Sequence, residues 1–401
     1  MRERIFLEEA LELICAKVSP VEETEYLPLF RAAGMILAED IQARQDQPPF
    51  DRSPLDGYAV RSCDLEGASV QSPAKLTVIE EVHAGMWPQK RVERGQALRI
   101  MTGAPIPEGA DCVVKQEDTE PVEGEILVYQ SQRHHDNICF KGEDYQKNQQ
   151  LMKKGEKLDA VKLGILSGNG LGSVIVFRRP KIAVVTTGDE ICRRGETLTR
   201  GKIYDSNCQM LSGRVMELQC EPYGSEVFGD DTEAVSEYIH KIIRHVDAVI
   251  TVGALSVGVK DIMHDVIRQL GAEQIFKRVK LKPGSPVSLS ILGGKPILSL
   301  SGNPFAALAT FELLARPLMA RLRQDESLIM EKSRAVMASA FEKSSKVRRF
   351  LRAYEEDGKI YLKRSNSPGI LSSMAGCNCI VDIPAGNKGL KPGEEVAIWL
   401  L

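Results

Sequence analysis

The chain has 401 residues, of which 43% are hydrophobic, 27% charged and 5% aromatic, a composition that belongs to folded rather than disordered chains. Single domains stop growing at about 250 to 300 residues, so this length implies several cores. The formal charge of −3 arises from 52 basic and 55 acidic residues interspersed along the chain, and no basic tail or stripe advertises nucleic acid as a partner.

The N-terminus, MRERIFLEEALELICAKV, carries Arg2, Glu3, Arg4, Glu8 and Glu9 where a signal peptide needs an uninterrupted apolar core. No run of about 18 apolar residues follows anywhere. A cytoplasmic protein without a membrane segment is expected. The same N-terminal stretch has helical spacing at Ile5, Leu7, Leu11, Ile14 and Val18. QPPFDRSPLDGYAV then marks a domain entrance by its prolines and turn residues.

Short β-like runs separated by Gly, Pro and Asp follow (LTVIEEVHA, QALRIMTG, ADCVVKQED, EILVYQ) and predict an inserted β-rich domain over residues 45–141. Helical patterning returns in LDAVKLGILSGNGLGSVIVF, so residues 1–44 and 142–177 are expected to form one discontinuous N-terminal domain. From 178 to 325 buried strands (KIAVVTTG, DAVITVG) alternate with amphipathic helices. Those helices bear Leu211, Val215 and Leu218, then Val235, Ile239, Ile242 and Val246, then Ile262, Val266 and Leu270. That alternation predicts a three-layer α/β domain on a mainly parallel sheet, with its ligand beyond the carboxyl ends of the strands. Residues 326–401, with the hairpin dipeptide Asp357-Gly358, predict a small C-terminal β-barrel or sandwich.

Nine cysteines occur with no CxxC pair and no histidine at ligand spacing, which reads as reduced and mostly buried thiols. His134 and His135 are adjacent and read as a solvated loop rather than a ligand pair.

The chemistry is expected in four loops that follow strands of the α/β region: TTGDEI, FGDD, VGALSVGVKD and LSLSGNP. Glycines allow backbone N–H groups to approach an anion, and a helix start supplies unpaired donors. In the last loop Asn303 suits a helix cap and Pro304 the first helical position. Each loop alone has a plain structural reading: Asp230 or Asp231 capping a helix, Asp261 as a first-turn acid. Carboxylates at Glu190, Asp230 and Asp261 would crowd an edge shaped for anions. A hard divalent cation resolves the conflict, because Mg²⁺ takes carboxylates together with phosphate oxygens. The residues thus point to a metal-assisted reaction on a phosphate or oxyanion.

PPFDRSPLDGYAVR and RIMTGAPIPEGADCVV, followed in order by KGEDY, TTGDEI, IYDSN, SVGVKD, KPGSPV and SGNP, resemble the motifs of the molybdopterin molybdenumtransferases from about residue 1 to residue 401. The resemblance implies a four-domain homodimer whose α/β domain binds adenylyl-molybdopterin. Molybdate then displaces AMP in a Mg²⁺-dependent step that yields molybdenum cofactor. It places the catalytic positions at Asp56, Thr102, Asp144, Glu190, Asp230 and Asp261, with Glu190, Asp230 and Asp261 as metal ligands. The substrate-binding positions fall on Gly188, Asp189, Gly253, Ser256, Gly258, Lys282, Gly302, Asn303 and Pro304. Thr102 would hydrogen-bond an anion, while Asp56 and Asp144 reach in from outside the α/β domain.

The resemblance further implies active sites shared between two subunits, and transient contact with the molybdopterin adenylyltransferase and with molybdoenzymes. Ala254, Val259, Arg278 and Ser301 depart from the family pattern of a glycine, an acid, a lysine and a proline; the C-terminal segment Asn366–Leu371 departs as well. The alternatives are a molybdopterin adenylyltransferase-like enzyme, which would lack the outer β regions, and a non-catalytic molybdopterin-binding paralogue.

Overall fold

The computed structural model describes residues 2–253, 255, 262–363 and 367–401. The chain forms two compact units: residues 1–27, 34–38 and 175–401 in one, and residues 28–33 and 39–174 in the other.

The larger unit is built on a six-stranded sheet in the order Glu221–Phe228, Lys181–Thr187, Ala248–Val252, Lys295–Leu300, Pro286–Leu292, Glu273–Arg278. The first four strands run parallel, Pro286–Leu292 runs against them, and Glu273–Arg278 pairs antiparallel with Pro286–Leu292, so the mainly parallel sheet ends in two antiparallel pairings. Alternate residues of each strand enter opposite cores, as a period of two requires. Ile182, Val184, Ile250, Val252, Leu298 and Leu300 face a core shared with Leu211 and Val215 of helix Asn207–Glu217, and with Leu7, Ala10 and Ile14 of helix Leu7–Lys17. Ala183, Val185, Val249 and Ile297 face Val235 and Ile239 of helix Thr232–Ile242 and Met263 and Val266 of helix Ile262–Gln269. Both faces are covered, which explains why these strands read as continuous apolar runs.

In the same unit, five strands close a barrel in the order Arg348–Glu356, Lys359–Leu362, Lys332–Met337, Glu395–Leu400, Cys379–Ile383, the last pairing back on the first. Asp357 (φ 51°) and Gly358 (φ 76°) make the two-residue turn between the first pair, the conformation that Asp-Gly favours. Strand Leu281–Lys282 extends the barrel sheet by pairing with Arg348–Arg349.

The smaller unit holds a six-stranded sheet in the order Cys112–Lys115, Gly57–Val60, Gln96–Ile100, Ala74–Val82, Glu125–Val128, Thr119–Val122. All its pairings are antiparallel except Ala74–Val82 with Gln96–Ile100. Tyr58, Val60, Ala97 and Val114 serve one core, Ala59, Leu98 and Val113 the other. No disulfide forms: all nine cysteines are free, five of them buried. Burial pushes Cys112, Cys220 and Cys379 up to about 12, so these thiols are inert. Among the described residues no helix is long and apolar enough to cross a membrane.

Candidate functional site

Two constellations hold the described site residues, one in each unit. In the smaller unit the segment after Pro48 and Pro49 delivers Asp56 to the start of strand Gly57–Val60. A Cβ on Gly57 would lie 2.0 Å from the Val114 carbonyl oxygen, so only glycine permits this backbone approach. Asp56 is fixed on both sides: its carbonyl accepts from Gln116 N at 3.1 Å, and its Oδ1 accepts from the backbone N and the hydroxyl of Thr102, each at 2.7 Å. These hydrogen bonds, the amide first, hold the Asp56 carboxyl below its ordinary range, with Arg99 and His83 adding to the effect.

The hydroxyl proton of Thr102 is thereby committed to Asp56, and a direct bond from Thr102 to an anion requires that commitment to be exchanged. Asp144 lies in the same unit, its amide donating to the Gln47 carbonyl at 2.9 Å. His134 and His135 sit in a loop, as expected. His135 takes φ 74°, and the two rings lie side by side, tilted by 33° with centroids 3.7 Å apart, rather than facing opposite ways.

In the larger unit the loops collect at the carboxyl ends of the parallel strands. Gly188 N donates to the Phe228 carbonyl at 3.0 Å and its carbonyl accepts from Ile191 N at 3.0 Å, a tight turn that folds the Glu190 carboxylate over Gly188. A Cβ there would meet that carboxylate at 2.8 Å. Asp189 Oδ1 accepts from Asp230 N at 2.9 Å, which ties the TTGDEI loop to FGDD, and Lys202 Nζ donates to the Asp189 carbonyl.

Asp231 resolves the ambiguity in FGDD: its carboxylate caps helix Thr232–Ile242 by accepting from Glu233 N at 3.0 Å and Ala234 N at 3.1 Å. The capping role therefore does not fall to Asp230. Gly253 stands at φ 102°, and a Cβ on it would lie 2.1 Å from the Thr187 carbonyl oxygen. Its N donates to the Leu300 carbonyl at 3.2 Å. Ser256, Gly258 and Asp261, with Ala254 and Val259, lie outside the described residues. Among the described residues no three His, Cys, Asp or Glu side chains gather as a metal cluster.

The last loop leads into helix Pro304–Thr310. Asn303 occupies the cap position, yet its side chain makes no capping hydrogen bond, contrary to the expected cap. Instead Ser301 and Asn303 line a cleft of about 460 Å³ together with Lys282, Gly284, Leu255 and Arg4. Lys282 and Pro368 also border a larger cleft, of about 800 Å³, whose basic wall is Lys282, Lys343, Arg349 and Lys363 beside Phe305 and Phe341.

The Arg349 guanidinium stands 5.3 Å from the Phe341 ring centroid and Arg352 stands 4.4 Å from that of Phe305, planar cations stacked on aromatic faces. Arg352 also donates to the Ser367 carbonyl at 3.0 Å. Arg349 and Arg352 did not stand out in the sequence. The available signal was KVRRFLRAY, a strand-like run in which Arg349 and Arg352 are 8% and 1% exposed, since buried arginines are rare without a task.

A doubly covered α/β sheet with glycine-rich strand-end loops, opening beside two clefts of which the larger is basic, defines a binder of a bulky anionic small molecule. Comparison with known proteins narrows the class. Residues 5–170 match the MoeA N-terminal region (domain I and II), residues 183–321 the probable molybdopterin binding domain, and residues 334–401 the MoeA C-terminal region (domain IV). The chain is 33% identical over 411 residues to the molybdopterin molybdenumtransferase of Bacillus subtilis (strain 168), covering 100% of this chain and 95% of that protein. It is 32% identical over 403 residues to that of Staphylococcus aureus (strain COL), covering 100% and 96%.

The crystal structure of the molybdopterin biosynthesis moeA protein from Pyrococcus horikosii superposes with a TM-score of 0.86 at 36% identity, over 99% of this chain and 98% of that one. The crystal structure of a molybdopterin biosynthesis moeA protein from Pyrococcus horikoshii OT3 gives 0.84 at 32%, over 99% and 100%. The chain belongs to the molybdopterin molybdenumtransferase family, transferases of molybdenum cofactor biosynthesis.

Proposed function

We propose that the protein inserts molybdate-derived molybdenum into adenylyl-molybdopterin, releasing AMP. The observation that carries this reading is the pair of clefts sharing Lys282: the strand-end turn Ser301–Asn303 borders the smaller, and the basic wall of Arg349, Lys363 and Lys343 borders the larger. Such a pair suits a substrate that is heterocyclic at one end and anionic at the other, together with a dianionic oxyanion. The adenylyltransferase alternative is disfavoured by the match to the outer N-terminal and C-terminal regions as well as to the α/β domain.

In this reading Gly188, Asp189, Gly253, Ser256, Gly258, Lys282, Gly302, Asn303 and Pro304 bind the pterin nucleotide. Asp56, Thr102 and Asp144 complete the site from the partner subunit of a homodimer. Thr102 acts as one unit with Asp56, whose carboxylate sets the orientation of its hydroxyl and amide. Glu190, Asp230 and Asp261 supply oxygen ligands for Mg²⁺. The donor set fits that ion chemically: it is all carboxylate, and one hydrogen bond, Asp230 N to Asp189 Oδ1, ties the Glu190 and Asp230 loops together. When bound, the ion neutralises charge on the adenylyl phosphate and oxyanion.

The four-part division at 1–44 with 142–177, 45–141, 178–325 and 326–401, a cytoplasmic location, and transient contact with the adenylyltransferase and recipient molybdoenzymes belong to the same proposal. Purified protein given adenylyl-molybdopterin, molybdate and Mg²⁺ tests it through AMP release. Release that proceeds equally without oxyanion would refute the reading.

A further inference from the structure

Asn207 opens helix Asn207–Glu217 and is 7% exposed. Its Nδ2 donates to the carbonyl oxygen of Gly302 at 2.7 Å, across 95 residues of sequence, while its Oδ1 is buried and finds no hydrogen-bond partner among the described residues. A buried acceptor without a donor is costly, so helix stability does not account for a carboxamide here. Nor does capping, because the carboxylate of Asp205 takes the Cys208 amide at 3.2 Å.

What the side chain holds is the middle of the Ser301–Pro304 turn. On its other side the Gly302 backbone lies against Gly253, where a Cβ on Gly302 would come within 3.2 Å of the Gly253 Cα. The peptide is therefore clamped between a neighbouring strand end and one amide donor. Ser301 and Asn303, which flank it, border the cleft that Lys282 shares.

We propose that Asn207 is a positioning residue for substrate: by holding the Gly302 carbonyl it sets the orientation in which Ser301 and Asn303 meet the pterin nucleotide. This rests on the transferase reading above. Without that donor the Gly302 peptide loses the hydrogen bond that fixes its tilt, and the turn adopts several orientations of which one receives the ligand, so apparent affinity falls in proportion to the competent fraction.

The test is steady-state AMP release against adenylyl-molybdopterin concentration, with melting curves, for wild-type protein, Asn207→Leu and Asn207→Asp. Leucine keeps the volume and removes both polar atoms; aspartate keeps the shape and replaces the donor by an acceptor facing Gly302. The expected result is a KM raised tenfold or more in both, kcat within about threefold, and melting within a few degrees of wild type. Should the leucine variant not fold, the aspartate variant is read alone. A KM within twofold of wild type overturns the inference, whether or not the melting temperature falls. Wild-type protein that releases no AMP overturns the transferase reading, and this inference with it, before any variant is compared.

Discussion

Asp56 accepts both hydrogen bonds that Thr102 can donate, from its amide and from its hydroxyl, each at 2.7 Å, although 46 residues separate them. The pair joins the FDRSPLDGYAV segment to the RIMTGAP segment, so the two longest motifs of the chain meet in one contact. Thr102→Val removes the hydroxyl bond and should raise the Asp56 carboxyl toward the ordinary carboxylate range. The sign follows from linkage: the folded-state value is depressed, so the stabilisation is present above the unfolded value of about 3.9 and is lost as pH falls through the lower folded value. The melting-temperature difference between wild type and Thr102→Val should therefore be constant near neutral pH and shrink in acid. Carboxyl ¹³C titrations that place Asp56 at the same pH in both proteins would contradict this.

Gly253→Ala should destabilise the α/β unit by about 2 kcal/mol or more, the sum of a strained positive φ and an overpacked contact. Its new Cβ would lie 2.1 Å from the Thr187 carbonyl oxygen. Chemical denaturation measures the effect, and a change under about 0.5 kcal/mol, the range of ordinary surface substitutions, would mean the strand ends can separate freely.

The parallel sheet was legible because strands covered on both faces read as apolar runs between helices of 3.6-residue period, as with KIAVVTTG. The turn at Asp357-Gly358 was legible because its dihedral angles demand those residue types. The small C-terminal β-barrel was expected and is found, but which strands close it was not legible, since the pairing of Arg348–Glu356 with Cys379–Ile383 is long-range and leaves no local pattern. The role of Asp231 was hidden by its acidic neighbour: either residue of an Asp-Asp pair can cap a helix, and only the backbone path decides. The basic cleft was missed for a related reason, because Arg349 and Lys363 lie on and just beyond barrel strands and carry no motif.

Neutralising the basic wall should weaken oxyanion and phosphate binding without unfolding the barrel. Lys282→Met and Arg349→Met are expected to raise the KM for molybdate or adenylyl-molybdopterin about tenfold, equivalent to roughly 1.4 kcal/mol each. Melting curves check that the fold survives. Unchanged KM values for both substrates in both variants would remove the cleft from the site.

Glu190→Gln keeps its volume and loses its charge. A rate reduction of about 100-fold or more is expected with a normal melting temperature, the usual scale for deleting one electrostatic stabiliser of a transition state. Chelator-treated wild type should fall likewise and recover on adding Mg²⁺. A chelator-treated protein turning over at full rate would contradict the metal assignment.

If the sites are shared in a two-fold dimer, as proposed, damaged chains complement each other. Chains carrying Asp56→Ala, mixed and refolded with chains carrying Asp230→Ala, should regain about a quarter of normal sites, because each mixed dimer contains one wholly wild-type site. Mixed dimers with no recovery would place each site within one chain.

The proposed reaction exchanges the adenylyl group of the pterin substrate for an oxyanion-derived metal. Anaerobic incubation of purified protein with adenylyl-molybdopterin and Mg²⁺, with molybdate present or omitted, measures it directly. AMP release should depend on molybdate and saturate with it, accompanied by a product that reconstitutes a molybdenum-free molybdoenzyme. AMP release independent of molybdate, or a product that fails to reconstitute, would contradict the proposed reaction.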